Sequence, residues 1–253
     1  MRGKRAAVAV AGTGLVVAAV VGGVAARDGG AARSRPVTTD EAARLALSRL
    51  TSYAASPVVV EVEVPDGEAR TEVRGLVDYR TGHAVGAYTS ATGAAGLVAW
   101  DTTGLGVAPD GTRRTVPEAA RAAETMPPAA WSARTYTTDP LDAALRVLMA
   151  LGADRPDNAQ LLARAGARWL RDERLDGGHV YGVFSGPLPR EDADGEARLS
   201  YWVDADGNLR RFQLRVDGLA RPVTVDLTGR RAPERVPATP WEVTGRPTAA
   251  PSP

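Results

Sequence analysis

Residues 199–227, LSYWVDADGNLRRFQLRVDGLARPVTVDL, contain three short runs in which apolar and polar side chains alternate. Alternation with a period of two residues is typical of β-strands that bury one face. The apolar positions of the three runs are Leu199, Tyr201 and Val203, then Phe212, Leu214 and Val216, and finally Val223, Val225 and Leu227. The stretch therefore predicts three consecutive antiparallel strands with a shared apolar face.

The connection between the first two runs predicts how these strands pair. Asp204-Ala205-Asp206-Gly207-Asn208 is rich in residues that favour turns. A loop of about four residues places Tyr201 opposite Phe212 and Leu199 opposite Leu214. This register keeps every apolar residue on one side of the hairpin.

A second set of alternating runs lies in the first half of the chain. In residues 58–64, valine stands at positions 58, 60, 62 and 64, and Val59, Glu61 and Glu63 stand between them. The turn-forming segment 65–68 then leads into a return strand over 69–79. A four-residue loop predicts that Glu63 lies opposite Arg70. The apolar face of the return strand carries Val73, Val77 and Tyr79. Weaker strands are predicted over residues 83–89 and 97–100.

Helical patterns separate these two sheet-forming regions, and one precedes them. The first helix is predicted to begin at Thr39 or Asp40 and to end before Pro57. In the middle of the chain, Asp139-Pro140 is typical of an N-cap followed by proline at the first helical position. The remaining helices are predicted over residues 117–126, 141–151 and 157–165. This order predicts an α+β fold in which a curved antiparallel sheet is wrapped around a few helices.

Two stretches near the C-terminus also resemble a known family. YWVDADGNLRRFQLRV, residues 201–216, followed by the VTVDL strand, resembles the C-terminal part of the actinobacterial LppX/LprAFG family of LolA-like envelope proteins. The upstream RDERLDGGHVYGVFSG, residues 171–186, is similar to that family's preceding strand pair. The resemblance implies a half-barrel sheet, export across the membrane and an apolar cavity for lipids. Family members are commonly lipoproteins, whereas this chain has no cysteine to acylate.

The N-terminus has the layout of an export signal. MRGKR supplies three positive charges, and Ala6–Ala26 is a run of 21 uncharged residues. Positive residues remain on the cytoplasmic side, which predicts that the following domain lies outside. We interpret residues 1–27 as a signal anchor, or as a signal peptide if it is cleaved and the domain is secreted. A dinucleotide-binding loop at Gly12-Thr13-Gly14 is disfavoured because the third small residue and the following acidic residue are missing.

Composition limits the remaining possibilities. The 253 residues carry 31 basic and 30 acidic side chains, which gives no electrostatic basis for binding nucleic acid. The absence of cysteine excludes disulfides and thiol catalysis. After the N-terminal segment we predict a tether over 28–36, one half-barrel domain over 37–243 and a disordered proline-rich tail over 244–253, with Trp241 attaching the end of the chain to the domain.

Candidate catalytic and metal-binding residues are few. His83 and His179 are the two histidines, and neither has a second ligand at a suitable spacing. Ser185 lacks the preceding glycine of a nucleophile elbow. Residues 204–208 resemble the start of a calcium loop, but glycine is fourth instead of sixth and Arg215 stands where a bidentate acid is required. We therefore predict no enzyme activity, no metal site and no cofactor.

The apolar strand faces are the candidate functional surface. With the family resemblance, they suggest a cavity for a lipid or another apolar molecule; without a ligand, the same faces would form the core of a membrane-anchored interaction or sensor domain. On the opposite face, Trp202 is predicted to pack with Arg211 on the sheet exterior or, alternatively, to contact a partner. The candidate ligand-binding residues are Val60, Val62, Val73, Val77, Tyr201, Phe212, Leu214, Val223 and Val225.

Overall fold

The computed structural model describes residues 34–175, 177–186 and 198–241. Within this part of the chain, twelve strands form a single antiparallel sheet that is curved and does not close. The strands are β1 (Arg35–Pro36), β2 (Val58–Asp66), β3 (Ala69–Asp78), β4 (His83–Thr89), β5 (Ala95–Trp100), β6 (Gly104–Pro109), β7 (Ser132–Thr135), β8 (Arg168–Leu175), β9 (His179–Ser185), β10 (Leu199–Val203), β11 (Leu209–Leu214) and β12 (Val223–Arg230). The predicted α+β class and the antiparallel curved sheet are confirmed. The predicted membrane segment and tail lie outside the described residues.

The strand order joins the two sheet-forming regions into one surface. The order is β1-β8-β9-β10-β11-β12-β2-β3-β4-β5-β6-β7, so that β12, near the C-terminus, pairs with β2, near the N-terminus. In this central pair Val225 lies opposite Val62, and Leu227 lies opposite Val60. The apolar faces of the first and last parts of the chain are therefore continuous.

The predicted pairing of the C-terminal hairpin is confirmed. Tyr201 lies opposite Phe212, and Leu199 lies opposite Leu214. A bulge after Trp202 then places Leu209 opposite Val203, which keeps Leu209 on the apolar face.

The predicted pairing of the β2–β3 hairpin is wrong. The turn contains two residues, with Asp66 opposite Ala69, because Gly67 has a φ of 58° that permits this tight turn. The shorter turn moves the register by two residues and places Glu63 opposite Glu72. Arg70 forms an ion pair with Glu72 and approaches Glu63 at 3.9 Å. A cation beside both carboxylates offsets the repulsion between them.

Four α-helices accompany the sheet in the described residues: α1 (Thr39–Ala54), α2 (Val116–Thr125), α3 (Pro140–Met149) and α4 (Ala159–Arg164). The first helix is capped by Thr38 rather than by Thr39 or Asp40, because Thr38 and Glu41 form a reciprocal capping box. The predicted start of α3 is confirmed, since the Asp139 side chain accepts a hydrogen bond from the backbone N–H of Leu141. The helices α1 and α3 cover one face of the sheet, which we call the inner face.

The opposite, outer face is covered only in part. Helix α2 packs against β3, β4 and β5. The C-terminal segment 232–241 adds Val236 and Trp241 to the same side. Strand β5 is buried along its whole length, because Val98 and Trp100 belong to the apolar cluster of the inner face and Leu97 and Ala99 pack in a second cluster beneath α2 on the outer face. Further along the sheet, the outer face carries charged side chains in pairs.

Candidate functional site

The nine candidate residues are brought together on the inner face. All of them belong to one apolar cluster or, in the case of Tyr201, pack against it. The pairing of the strands explains their proximity: Phe212 is the neighbour of both Tyr201 and Val225, and Val62 is the neighbour of both Val225 and Val73. The alternation in five separate strands therefore produces one continuous apolar surface.

This surface is covered by the protein's own helices. Leu45 of α1 and Leu145 and Leu148 of α3 are buried in the same cluster as the strand residues. Val60, Val73, Val77, Phe212, Val223 and Val225 are each 0% exposed. Because valine side chains are small, they leave room for the helix leucines in the core.

Trp100 fills a second part of the inner face. Its ring lies against Gly75, which faces Gly86 across β3 and β4, and a side chain at Gly75 would begin only 3.0 Å from the ring. The absence of a side chain at Gly75 leaves the space that the indole occupies. Sequence analysis did not identify this arrangement, although glycine within a strand often indicates a close approach of another group.

A groove remains at the margin of the cluster. It has a volume of about 760 Å³ and lies between α3 and the segment where β11 ends. Its apolar lining consists of Ala143 and Val147 from α3, the C-cap residue Ala150, Leu214 and Val216. Leu214 is 8% exposed and is the one candidate residue in this lining. The volume lies within the range of about 300–1,000 Å³ that is typical of small-molecule sites.

The helix residues of the groove were not among the sequence candidates. Ala143, Val147 and the C-cap residue Ala150 recur at intervals of four and three residues, so they lie along one side of α3 and its C-terminal end. The spacing was available in the sequence, but it is shared with the buried face of Ala144, Leu145 and Leu148. Periodicity alone does not distinguish the side of a helix that borders a groove from the side that forms the core.

Polar groups border the apolar part of the groove. The lining includes the hydroxyl residues Thr137 and Thr138, the arginines Arg146, Arg198 and Arg215, and Asp217. The Thr137 hydroxyl already has a hydrogen-bond acceptor within the protein, because it donates a 2.7 Å hydrogen bond to the Asp142 carboxylate. The site therefore combines apolar surface with charged groups at its border. Apart from these groups, no described residue supplies a nucleophile or general base to the groove.

Trp202 lies on the outer face of the sheet, as predicted, but Arg211 is not the cation over its ring. It is opposite Arg211 in the strand pairing, but it is only 2% exposed and packs with Tyr181 and Val183. The cation over its ring is Arg171, 5.7 Å from the ring centre. Arg211 instead pairs with Asp226, at 2.7 Å, which explains why it is not directed onto the indole.

The two candidate residues of β9 are separated, and the segment that resembles a calcium loop forms a turn. His179 and Ser185 are the first and last residues of β9, so about 20 Å of extended chain separates them. The Asp204 carboxylate accepts hydrogen bonds from the backbone N–H groups of Asp206 and Asn208, which is the arrangement of a turn. Within the described residues, no group of three or more histidine and acidic side chains is placed to hold a metal ion.

Comparisons with known proteins do not assign the chain to a family, since no protein-family model and no curated protein matches it. Among the described residues, no helix has both the length and the apolar character needed to cross a membrane.

Proposed function

We propose that this chain is an extracytoplasmic envelope protein that binds the acyl chain of a lipid, or a similar apolar molecule, in the groove beside α3. The observation that carries the proposal is the groove itself, with its apolar lining and its volume of about 760 Å³. The N-terminal pattern of MRGKR and Ala6–Ala26 and the resemblance to LolA-like proteins support an envelope location and an apolar ligand.

The chemistry of the groove favours an elongated apolar ligand over a polar substrate. Its lining residues Ala143, Val147, Leu214 and Val216 belong to, or pack against, the apolar cluster of the inner face. A chain lying on them would be held by apolar burial, at about 0.8 kcal/mol per methylene. This binding mode predicts affinity that depends on chain length more than on the detailed shape of the ligand.

A series of straight-chain fatty acids from octanoic to octadecanoic acid tests the proposal. We expect the affinity of the purified full chain to rise about fourfold per added methylene and then to level off when the groove is full. Binding can be followed by displacement of the neutral fluorophore N-phenyl-1-naphthylamine.

A variant that narrows the groove provides the matched comparison. Ala150 is exposed at the C-cap of α3 within the groove, and Ala163 is exposed on α4 outside it. We expect Ala150→Trp to shift the plateau to shorter chains and Ala163→Trp to leave it unchanged. A response that does not vary with chain length would contradict the proposal.

The second candidate is a membrane-anchored interaction or sensor domain that holds no ligand. The specific observation in its favour is the covered inner face, where Leu145 and Leu148 of α3 occupy the space over the valines. This candidate predicts no dependence on chain length and no effect of Ala150→Trp on fatty-acid binding. The same series therefore separates the two functions.

A further inference from the structure

The charges around the groove are unequal. Arg146, Arg198 and Arg215 all border it, and Asp217 is the acidic side chain of the lining. Arg198 approaches Asp217 at 3.7 Å, but the two side chains are 70% and 94% exposed. Such an exposed pair contributes about 0–1 kcal/mol and can be rearranged at little cost. The groove therefore has an excess of positive charge beside an apolar floor.

Arg146 is the arginine placed best to contact a bound head group. It lies in the last turn of α3, next to Val147 and between Ala143 and Ala150 in sequence. Its side chain is exposed, and it has no ion pair with any residue that the structure describes. Asp142, one helical turn earlier, does not neutralise it, because both carboxylate oxygens of Asp142 accept hydrogen bonds from Arg134.

We infer that the groove selects lipids with an acidic head group, whose carboxylate or phosphate oxygens contact Arg146 while the acyl chain lies on the apolar floor; this rests on the proposed function. A guanidinium group presents several N–H donors in one plane and matches the oxygens of either acid. An uncharged head group would leave this interaction unmade. The positive border thus gives a head-group preference to a site whose apolar floor is unselective.

Two ligands with the same chain and different head groups test this inference. Dodecanoate and dodecan-1-ol are compared by displacement of N-phenyl-1-naphthylamine from the full chain at neutral pH. We expect dodecanoate to bind about tenfold more tightly, as one hydrogen-bonded charge pair would give. Added salt should weaken the binding of dodecanoate and leave that of dodecan-1-ol unchanged.

Variants assign the preference to Arg146. Arg146→Gln should reduce the ratio of the two affinities to near one, and Arg146→Lys should restore part of it. Arg164→Gln is the control, because Arg164 also lies in the last turn of a helix but outside the groove. Equal binding of the two ligands to the unmodified chain would overturn the inference alone, whereas binding of neither would overturn the proposed function with it. A ratio unchanged in Arg146→Gln would likewise overturn the assignment.

Discussion

Val225 tests the assignment of faces at the level of a single residue. It is 0% exposed and lies between Phe212 and Val62 on the inner face. Val225→Asp would bury a carboxylate without a partner, and we expect it to lower the free energy of unfolding by at least about 3 kcal/mol. Urea denaturation followed by circular dichroism measures this change.

An exposed position on the same strand provides the control. Thr228 is exposed, so Thr228→Asp introduces the same charge without burying it. We expect this variant to differ from the unmodified chain by no more than about 0.5 kcal/mol. Equal midpoints for the two variants would show that Val225 does not lie on a buried face.

The residue contacts that could be predicted are those determined by local alternation and a clear turn. The pairs Tyr201–Phe212 and Leu199–Leu214 follow from the pattern on both sides of residues 204–208. The pair Glu63–Arg70 was not obtained, because the segment Pro65–Glu68 is compatible with turns of two or four residues. The contact of Trp241 with Asp101 joins residues 140 positions apart, and no local signal specifies it.

At the level of the element, the start of α1 is stabilised by an ionised Glu41. The Arg35 guanidinium hydrogen-bonds both oxygens of this carboxylate, at 2.7 Å each, and the backbone N–H of Thr38 donates to one of them at 2.8 Å. The hydrogen bonds from Arg35, opposed by partial burial and aided by Thr38, lower the pKa of Glu41 to about 2. The same contacts attach β1 to the beginning of the helix.

The lowered pKa predicts how stability depends on pH. Because the pKa is lower in the folded state, the contribution of Glu41 is complete above its ordinary value of 4.5 and is lost as the pH falls toward 2. Glu41→Gln should cost about 1 kcal/mol at pH 7 and should lose less stability between pH 5 and 3 than the unmodified chain. Urea unfolding at both pH values measures the difference.

Glu124→Gln, at an exposed position of α2, is the control and should leave the pH dependence of stability unchanged. Parallel pH profiles for all three proteins would contradict this role of Glu41.

The elements found by sequence analysis are those with a clear period. A clear hydrophobic period is present in strands β2 and β12 and in the capped helix α3. The structure places these three elements close to their predicted bounds. Strand β6, GLGVAP, was not predicted, because two glycines and a proline weaken the strand signal. Strand β5 was only partly found, since a strand buried on both faces has no alternation.

At the level of the whole molecule, the central β12–β2 pair determines how the site forms. These strands begin 165 positions apart in the sequence, at Val58 and Val223, yet they lie side by side in the middle of the sheet. Only this pairing makes the apolar faces of the two halves continuous, so that α3 can cover both. The sequence predicted the faces and the helices between them and left open whether the inner face would be filled; the groove at its margin was not predicted.

The C-terminal segment is held to the sheet by one buried carboxylate. Asp101 follows β5, and its second oxygen accepts hydrogen bonds from the Trp241 indole N–H at 2.6 Å and from the Thr239 hydroxyl at 3.4 Å. Its first oxygen accepts from the backbone N–H groups of Thr103 and Gly104, at 2.6 Å and 3.0 Å. Burial alone would raise the pKa of Asp101, but the hydrogen bonds from Thr103, Trp241 and Gly104 outweigh it and the pKa is lowered. The predicted contact of Trp241 with the domain is therefore present, and it includes a hydrogen bond to a carboxylate whose pKa is lowered.

Removing the indole N–H should loosen this segment while leaving the sheet folded. Trp241→Phe deletes the hydrogen bond to a charged acceptor, which we expect to cost about 1.5–3 kcal/mol in the free energy of unfolding and to accelerate tryptic cleavage at the exposed Arg235. Trp131→Phe is the matched control, because Trp131 packs in the same apolar cluster and has no hydrogen bond to the carboxylate of Asp101 among the described residues.

The pKa of Asp101 is lowered, so the difference in stability between the two variants should persist above the ordinary carboxyl pKa of 3.8 and disappear at lower pH. Equal cleavage rates at neutral pH would show that ring packing alone, and not the bond to Asp101, holds the C-terminal segment against the sheet.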